Sequence, residues 1–204
     1  MVRKLVVNGV VVTSLVLCGT AVLAPSATAV EMSVRVVAVI GAGCPAGTVG
    51  TTAVGGTTID LTQSSFMAEF GPGIPQDRSW SGCWVTMKVT GPTGSEFAVL
   101  QVYRYGSLRL PTGATATDQA RVHFSGKYAD YTFLRLTGPV NTGWSRVHPV
   151  PASSRAWSGC DGSTLNLILD SGVEVQPGSG NASVLTTGFM SVQRQKVLLT
   201  WRNC

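Results

Sequence analysis

Charge is scarce in this sequence, and so are the residues that carry acid–base chemistry. Asp, Glu, Lys and Arg make up 12% of the 204 residues, and histidine occurs twice, as His123 and His148. A general base working near neutral pH has to be one of those two imidazoles or a carboxylate moved by its surroundings. The carboxylates are spaced singly along the chain. No G-x-S-x-G elbow occurs, and no P-loop, dinucleotide fingerprint or EF-hand loop. The local signatures of esterase, nucleotide, hydride-transfer and calcium chemistry are therefore missing. No C-x-x-C or Cys-His pair is present, so neither a metal site nor a cofactor is expected. Lys and Arg are dispersed rather than clustered, which argues against nucleic acid as a partner. No segment holds a sustained helical period, which excludes a helical fold.

What the chain does have begins with an export signal. Arg3 and Lys4 form a basic n-region. Leu5 to about Leu23 is apolar, with interruptions at Asn8, Thr13, Ser14 and Thr20. Ala27-Thr28-Ala29 supplies small residues at both specificity positions for signal peptidase. Residues 1–29 are read as a cleaved signal peptide, and 30–204 as a single secreted, extracellular domain without a membrane anchor. Cys18 follows the bulky Leu17, a poor lipoprotein site, and is read as an apolar residue of the leader. Loss of Arg3 and Lys4 takes the 15 basic residues to 13 against 10 acidic ones, a net charge of +3. That mild excess fits solubility or weak attraction to anionic surfaces, and a monomer is expected.

The remainder reads as β throughout. Ser33 to Ile40 is β-branched and apolar. Thr48 to Val54 and Thr57 to Thr62 flank Gly55-Gly56, a hairpin signal. In Cys83, Val85, Met87 and Val89 against Trp84, Thr86, Lys88 and Thr90 the alternation is strict, the mark of a strand with one buried face. Glu96 to Leu110 is the longest run, with Phe97, Val99, Gln101, Tyr103 and Tyr105 on one face and a break near Gly106-Ser107. Gly138 to Gly159, holding three prolines, is the least regular stretch. About ten short strands separated by Gly/Pro turns predict an antiparallel β-sandwich, jelly-roll-like, rather than a helical or mixed fold.

A hexad occurs twice, Arg78-Ser79-Trp80-Ser81-Gly82-Cys83 and Arg155-Ala156-Trp157-Ser158-Gly159-Cys160. The flanking sequences differ, so two similar cystine corners are expected rather than a duplicated domain. Four cysteines remain in the exported chain, Cys44, Cys83, Cys160 and Cys204, an even count that reads as disulfides in an oxidising space. Of three possible pairings, Cys44–Cys83 and Cys160–Cys204 is the one expected. It closes two loops of about forty residues and ties down the C-terminus.

Candidate functional residues are few. Trp80, Trp144 and Trp157 fall in stretches read as loops, where an indole can stack on a sugar or anchor a partner. Trp80 and Trp157 can instead cover their neighbouring disulfides. His123 reads as a solvent-facing strand residue and His148 as a loop residue. Asp77 and Asp161 flank the cystine corners and read as turn formers. Asn181-Ala182-Ser183 matches a glycosylation triplet. No catalytic residue is assigned.

Gly41-Ala42-Gly43-Cys44-Pro45-Ala46-Gly47 resembles the G-x-G-C-P-x-G signature of a family of small secreted proteins of actinobacteria and fungi, catalogued as domain of unknown function 4360. Phe70-Gly71-Pro72-Gly73, Arg78, Cys83, Cys160-Asp161-Gly162 and the terminal Trp201-Arg202-Asn203-Cys204 are similar to its pattern, though the family often has Cys-Gly where this chain has Cys160-Asp161. The resemblance implies a secreted, cysteine-paired β domain and carries over no catalytic residues. The resulting expectation is an extracellular binding or interaction module, with a cell-wall polysaccharide or another secreted protein as partner. The alternatives are a hydrolase whose site assembles only in three dimensions, and a secreted toxin or protease inhibitor.

Overall fold

A computed structural model describes residues 31–124, 127–128, 132–160, 165–179 and 186–204. The expected signal peptide, Asp161 and Asn181 lie outside the described residues. Those described form eleven strands in two antiparallel sheets. The first sheet contains β1 (Ser33–Ile40), β4 (Trp80–Thr90), β10 (Leu165–Gln176), β6 (Thr115–Phe124) and the two-residue β7 (Lys127–Tyr128) in that order, with β8 (Thr132–Thr137) also pairing β6. The second runs β2 (Val49–Val54), β3 (Thr58–Phe70), β11 (Gly188–Asn203), β5 (Ser95–Leu110), β9 (Val140–Pro149). The architecture is an antiparallel β-sandwich. Its core is the pair of facing inner surfaces, with Val85, Met87, Leu167 and Leu169 from one sheet against Ile59, Leu61, Met190 and Val197 from the other.

Strand β4 follows its sequence closely. Cys83, Val85, Met87 and Val89 are buried, and Trp84, Lys88 and Thr90 are exposed. Strand β5 does not. Gln101 pairs with Leu198 while Val99 pairs with Leu199, so Leu100 is an extra residue on β5. This bulge reverses the alternation. Phe97 and Val99 are buried before it, Val102 and Arg104 after it, and Tyr103 and Tyr105 turn to the outer face. The single face expected for Phe97 through Tyr105 is thus split in two at Leu100, and the break expected near Gly106-Ser107 is present as a second register shift, in which β11 carries the extra residue between Met190 and Arg194.

The stretch expected to be least regular contains a ten-residue strand, β9, paired with β5 over its whole length. As an edge strand it tolerates Pro149 at its end. The strand expected from Thr57 to Thr62 continues without a break to Phe70 as β3.

Cys44 is joined to Cys83, and Cys160 to Cys204. Cys44 lies in the link that crosses from β1 in one sheet to β2 in the other. Gly41, with φ +129°, lets this link pass against Gly82, where a Cβ would strike the Gly82 carbonyl. Gly43 N–H then donates to Gly82 O at 2.9 Å. The second hexad is irregular and is sewn onto the start of β5. Ser158 N–H donates to Phe97 O, and Phe97 N–H donates to Ser158 Oγ. The first hexad instead opens a strand, with Trp80 as the first residue of β4.

Candidate functional site

Among the described residues, two places gather side chains of functional type. The first is the outer face of the β1/β4/β10/β6 sheet. Trp80 and Trp84 share the outward phase of β4 and are 51% and 49% exposed. They lie four residues apart, about 13 Å along an extended strand. Ile40, 65% exposed, is the cross-strand neighbour of Trp84 on β1. On β10 the partners of Trp80, Gly82 and Trp84 are Glu174, Gly172 and Asp170, and beyond them on β6 lie Thr117, Gln119 and Arg121.

Gly82 and Gly172 face each other across the central strands. A Cβ on Gly82 would run into the Trp80 ring, and one on Gly172 would lie 2.5 Å from Gln119 Nε2. The two glycines therefore let an indole and an amide lie down on the sheet. Arg121 Nη2 donates to Asp170 Oδ2 at 2.7 Å, so the charges at the Trp84 end are paired. At the Trp80 end an open cleft of about 570 Å³ lies between Ile74–Ser79 and Glu174–Pro177. The result is an aromatic strip bordered by hydrogen-bonding side chains.

The second place is interior. Arg104 of β5 and Asp118 of β6 are both fully buried and meet between the sheets, Arg104 Nη1 donating to Asp118 Oδ1. The same nitrogen donates to Gln119 O at 2.6 Å, and the guanidinium lies 5.3 Å from the Phe66 ring centroid. Burial pulls the Arg104 pKa down, and the charge of Asp118 together with its hydrogen bond opposes this. Asp118 Oδ2 is 2.8 Å from His148 Nε2. The other ring nitrogen, Nδ1, meets Thr132 Oγ1 of β8. His148 and Thr132 both line a cavity of about 250 Å³ whose other walls include Val102, Ala120, Val122, Pro149, Val150, Pro151 and Ser154.

The three tryptophans singled out in the sequence have separated. Trp80 is exposed on the strip. Trp144 is not in a loop but in β9, 9% exposed, with Nε1 donating to Ser191 O at 3.0 Å. It covers the place where β11 bulges past Gly106, whose bare backbone abuts that same Ser191 carbonyl. Trp157 is half-buried beneath Arg202, whose guanidinium carbon stands 3.8 Å from the ring centroid. Arg202 in turn donates to Glu96. Trp144 and Trp157 thus do not join Trp80 in one surface.

His123 was expected to face solvent and is buried, on β6 between β10 and β7. Burial and the nearby Arg121 hold its imidazole below the ordinary value, against the pull of Asp170. His148, expected in a loop, is buried in β9. Asp77 sits exposed in the 3-10 turn Gln76–Ser79, which borders the cleft at the Trp80 end, but does not itself line it. Sequence reasoning passed over Trp84, Ile40, Arg104, Asp118 and Thr132. The outward phase of Trp84 was readable from the β4 alternation. Nothing local marks the other four. Among the described residues no group of three His, Cys, Asp or Glu side chains is placed to hold a metal ion.

The fold and its two staples define a class, the disulfide-bonded antiparallel β-sandwich with an aromatic strip on one sheet. Within that class the chain belongs to the family described as domain of unknown function (DUF4360), whose model matches residues 30–204. A relative in Arthroderma benhamiae, described as an uncharacterized secreted protein, is 27% identical over 169 residues, covering 80% of this chain and 68% of the relative. Among solved structures, that of TmCBM61 in complex with β-1,4-galactotriose overlaps 84% of this chain and 88% of its own, at 10% identity and a TM-score of 0.29.

Proposed function

We propose that this protein is a secreted carbohydrate-binding module that holds a neutral polysaccharide chain along β4, on the outer face of the first sheet. The observation that carries this is the Trp80–Trp84 strip. Two indoles about half exposed on one strand are hydrophobic surface left in water, which a folded domain keeps where something covers it. The apolar faces of sugar rings suit indole faces, and the bordering Gln119, Glu174 and Thr117 offer hydrogen bonds to hydroxyls. Asp170 and Arg121 neutralise each other there, which favours an uncharged glycan over an acidic one. The outer face of the second sheet also carries aromatics, Tyr103 and Tyr105. Its groove is smaller, about 230 Å³, and its carboxylate, Asp60, is already held by Arg194.

The test is affinity electrophoresis and calorimetry against a panel of neutral and acidic polysaccharides. Wild type is expected to bind at least one neutral member. Trp80→Ala and Trp84→Ala are expected to weaken that binding at least about tenfold each, as for the buried aromatic anchors of interfaces. Absence of binding across the panel, or unchanged affinity in the double variant, would sink the reading.

A further inference from the structure

The interior cluster is not used by the proposed binding face, and its geometry has a chemistry of its own. Asp118 is fully buried and paired with Arg104, so it is held as a carboxylate and can only accept hydrogen bonds. Its contact with His148 Nε2 at 2.8 Å therefore places the ring proton on Nε2. With the proton on Nε2, Nδ1 presents its lone pair to the Thr132 hydroxyl, whose proton is shared between that nitrogen and the Ala120 carbonyl oxygen 3.2 Å away. A carboxylate that sets the tautomer, an imidazole that accepts, and a hydroxyl that donates are the three roles of an acyl-transfer triad, whatever their order in the chain. Here they come from β6, β9 and β8, and both Thr132 and His148 line the 250 Å³ cavity.

We propose that Thr132, His148 and Asp118 catalyse acyl transfer from esters of short, apolar carboxylic acids. Thr132 Oγ attacks the ester carbonyl carbon, forming the C–Oγ bond as its proton passes to His148 Nδ1. The carbonyl π pair moves onto oxygen, and Ser154, a second hydroxyl among the described residues lining the cavity, is a donor available to it. Collapse of the tetrahedral adduct breaks the bond to the leaving alkoxide, which takes the proton back from Nδ1. A water molecule, deprotonated by the same nitrogen, then releases the acid and restores Thr132. No oxidant, reductant or metal enters the balance. Val102, Ala120, Val122, Val150 and the two prolines give the cavity an apolar wall and room for a short acyl chain only. Arg104 takes up part of the charge of Asp118, so less of it stabilises the imidazolium. Slow turnover with an acyl-enzyme that accumulates is the expected kinetic form.

The experiment uses the full domain with both disulfides intact. It is mixed with p-nitrophenyl butyrate and, separately, with a short-chain alkyl fluorophosphonate, and the modified residue is located by peptide mass mapping. The expected result is an acyl and a phosphonyl adduct on Thr132. Ester hydrolysis is expected to fall on the order of 100-fold in Thr132→Val and to persist in Thr132→Ser, which keeps the hydroxyl. Wild-type protein with no adduct at Thr132 overturns the proposal however the variants fold, as does hydrolysis by Thr132→Val at the wild-type rate. Adducts and ester hydrolysis are read with no glycan present, so the proposal stands or falls apart from the carbohydrate site.

Discussion

The two disulfides close loops of nearly equal length in very different surroundings, and that contrast sets a quantitative expectation. The sequence separations are 39 and 44. The chain-entropy model converts either into about 4 kcal/mol of stabilisation. Replacing Cys160 and Cys204, both on the surface, with alanine removes little else. Cys44 and Cys83 are buried in the core. Their replacement also leaves space where two sulfurs were, about 1–3 kcal/mol by analogy with deleted core methyls. It further strips Gln63 Nε2, a buried donor, of the Cys83 Sγ acceptor 3.2 Å away, adding about 1 kcal/mol. The core pair should therefore cost about 6–8 kcal/mol and the surface pair about 4. For a domain of this size 1 kcal/mol moves Tm by about 2–4 °C, so the surface pair alone is worth about 8–16 °C. Calorimetry and urea unfolding of the oxidised wild type and the two double variants read these differences directly. Under mild thiol, alkylation and mass mapping should find Cys160–Cys204 opened first, since its sulfurs are accessible. An equal loss for both pairs, or a larger one for the surface pair, would refute the argument that burial separates them.

Three further outcomes are expected. Asp118→Asn leaves Arg104 buried without its counter-charge and should destabilise by about 3–5 kcal/mol in denaturant titration, whereas Asp60→Asn, whose partner Arg194 is half exposed, should cost far less. Burial and Arg121 hold the folded pKa of His123 below the ordinary imidazole value. As pH falls below about 6.5 the unfolded chain binds a proton the native state refuses, so stability is present above that pH and declines beneath it. His123→Gln should flatten that slope. Finally, Gly82→Ala should push the Trp80 ring off the sheet, changing tryptophan fluorescence and lowering glycan affinity while stability moves by less than about 1 kcal/mol, because the ring is free to swing into water.

Much of the fold was legible because it depends on local patterning. The alternation from Cys83 to Thr90 names the buried face of β4 without help, and the same alternation puts Trp84 on the outside, next to Trp80 in phase. Four cysteines in an exported chain announce two staples. Strict alternation stops being readable where a bulge interrupts it. Leu100 is an ordinary residue in a strand-forming run, and only the pairing of β5 with β11 makes it the extra one. That one-residue slip turns Arg104 into the core and sends Tyr103 and Tyr105 to the surface. Trp144 shows the same limit, since its proline-bearing surroundings read as a loop until β5 offers it an edge to pair with.

The amino-acid sequence thus determined the β class, the turns and the number of staples, since strand period, turn residues and cysteine count are properties of neighbours along the chain. Which of three pairings the cysteines adopt was open in the sequence, and the tertiary structure decided it by bringing Cys44 to Cys83 and Cys160 to Cys204. It also decided both candidate sites. Trp80 and Trp84 acquire their polar border only when β10 and β6 are laid beside β4. Arg104, Asp118, Thr132 and His148 lie on four strands of two sheets, and no spacing rule links them. Contacts between residues distant in sequence depend on which strands pair and in what register, and that is a property of the whole fold rather than of any stretch of it.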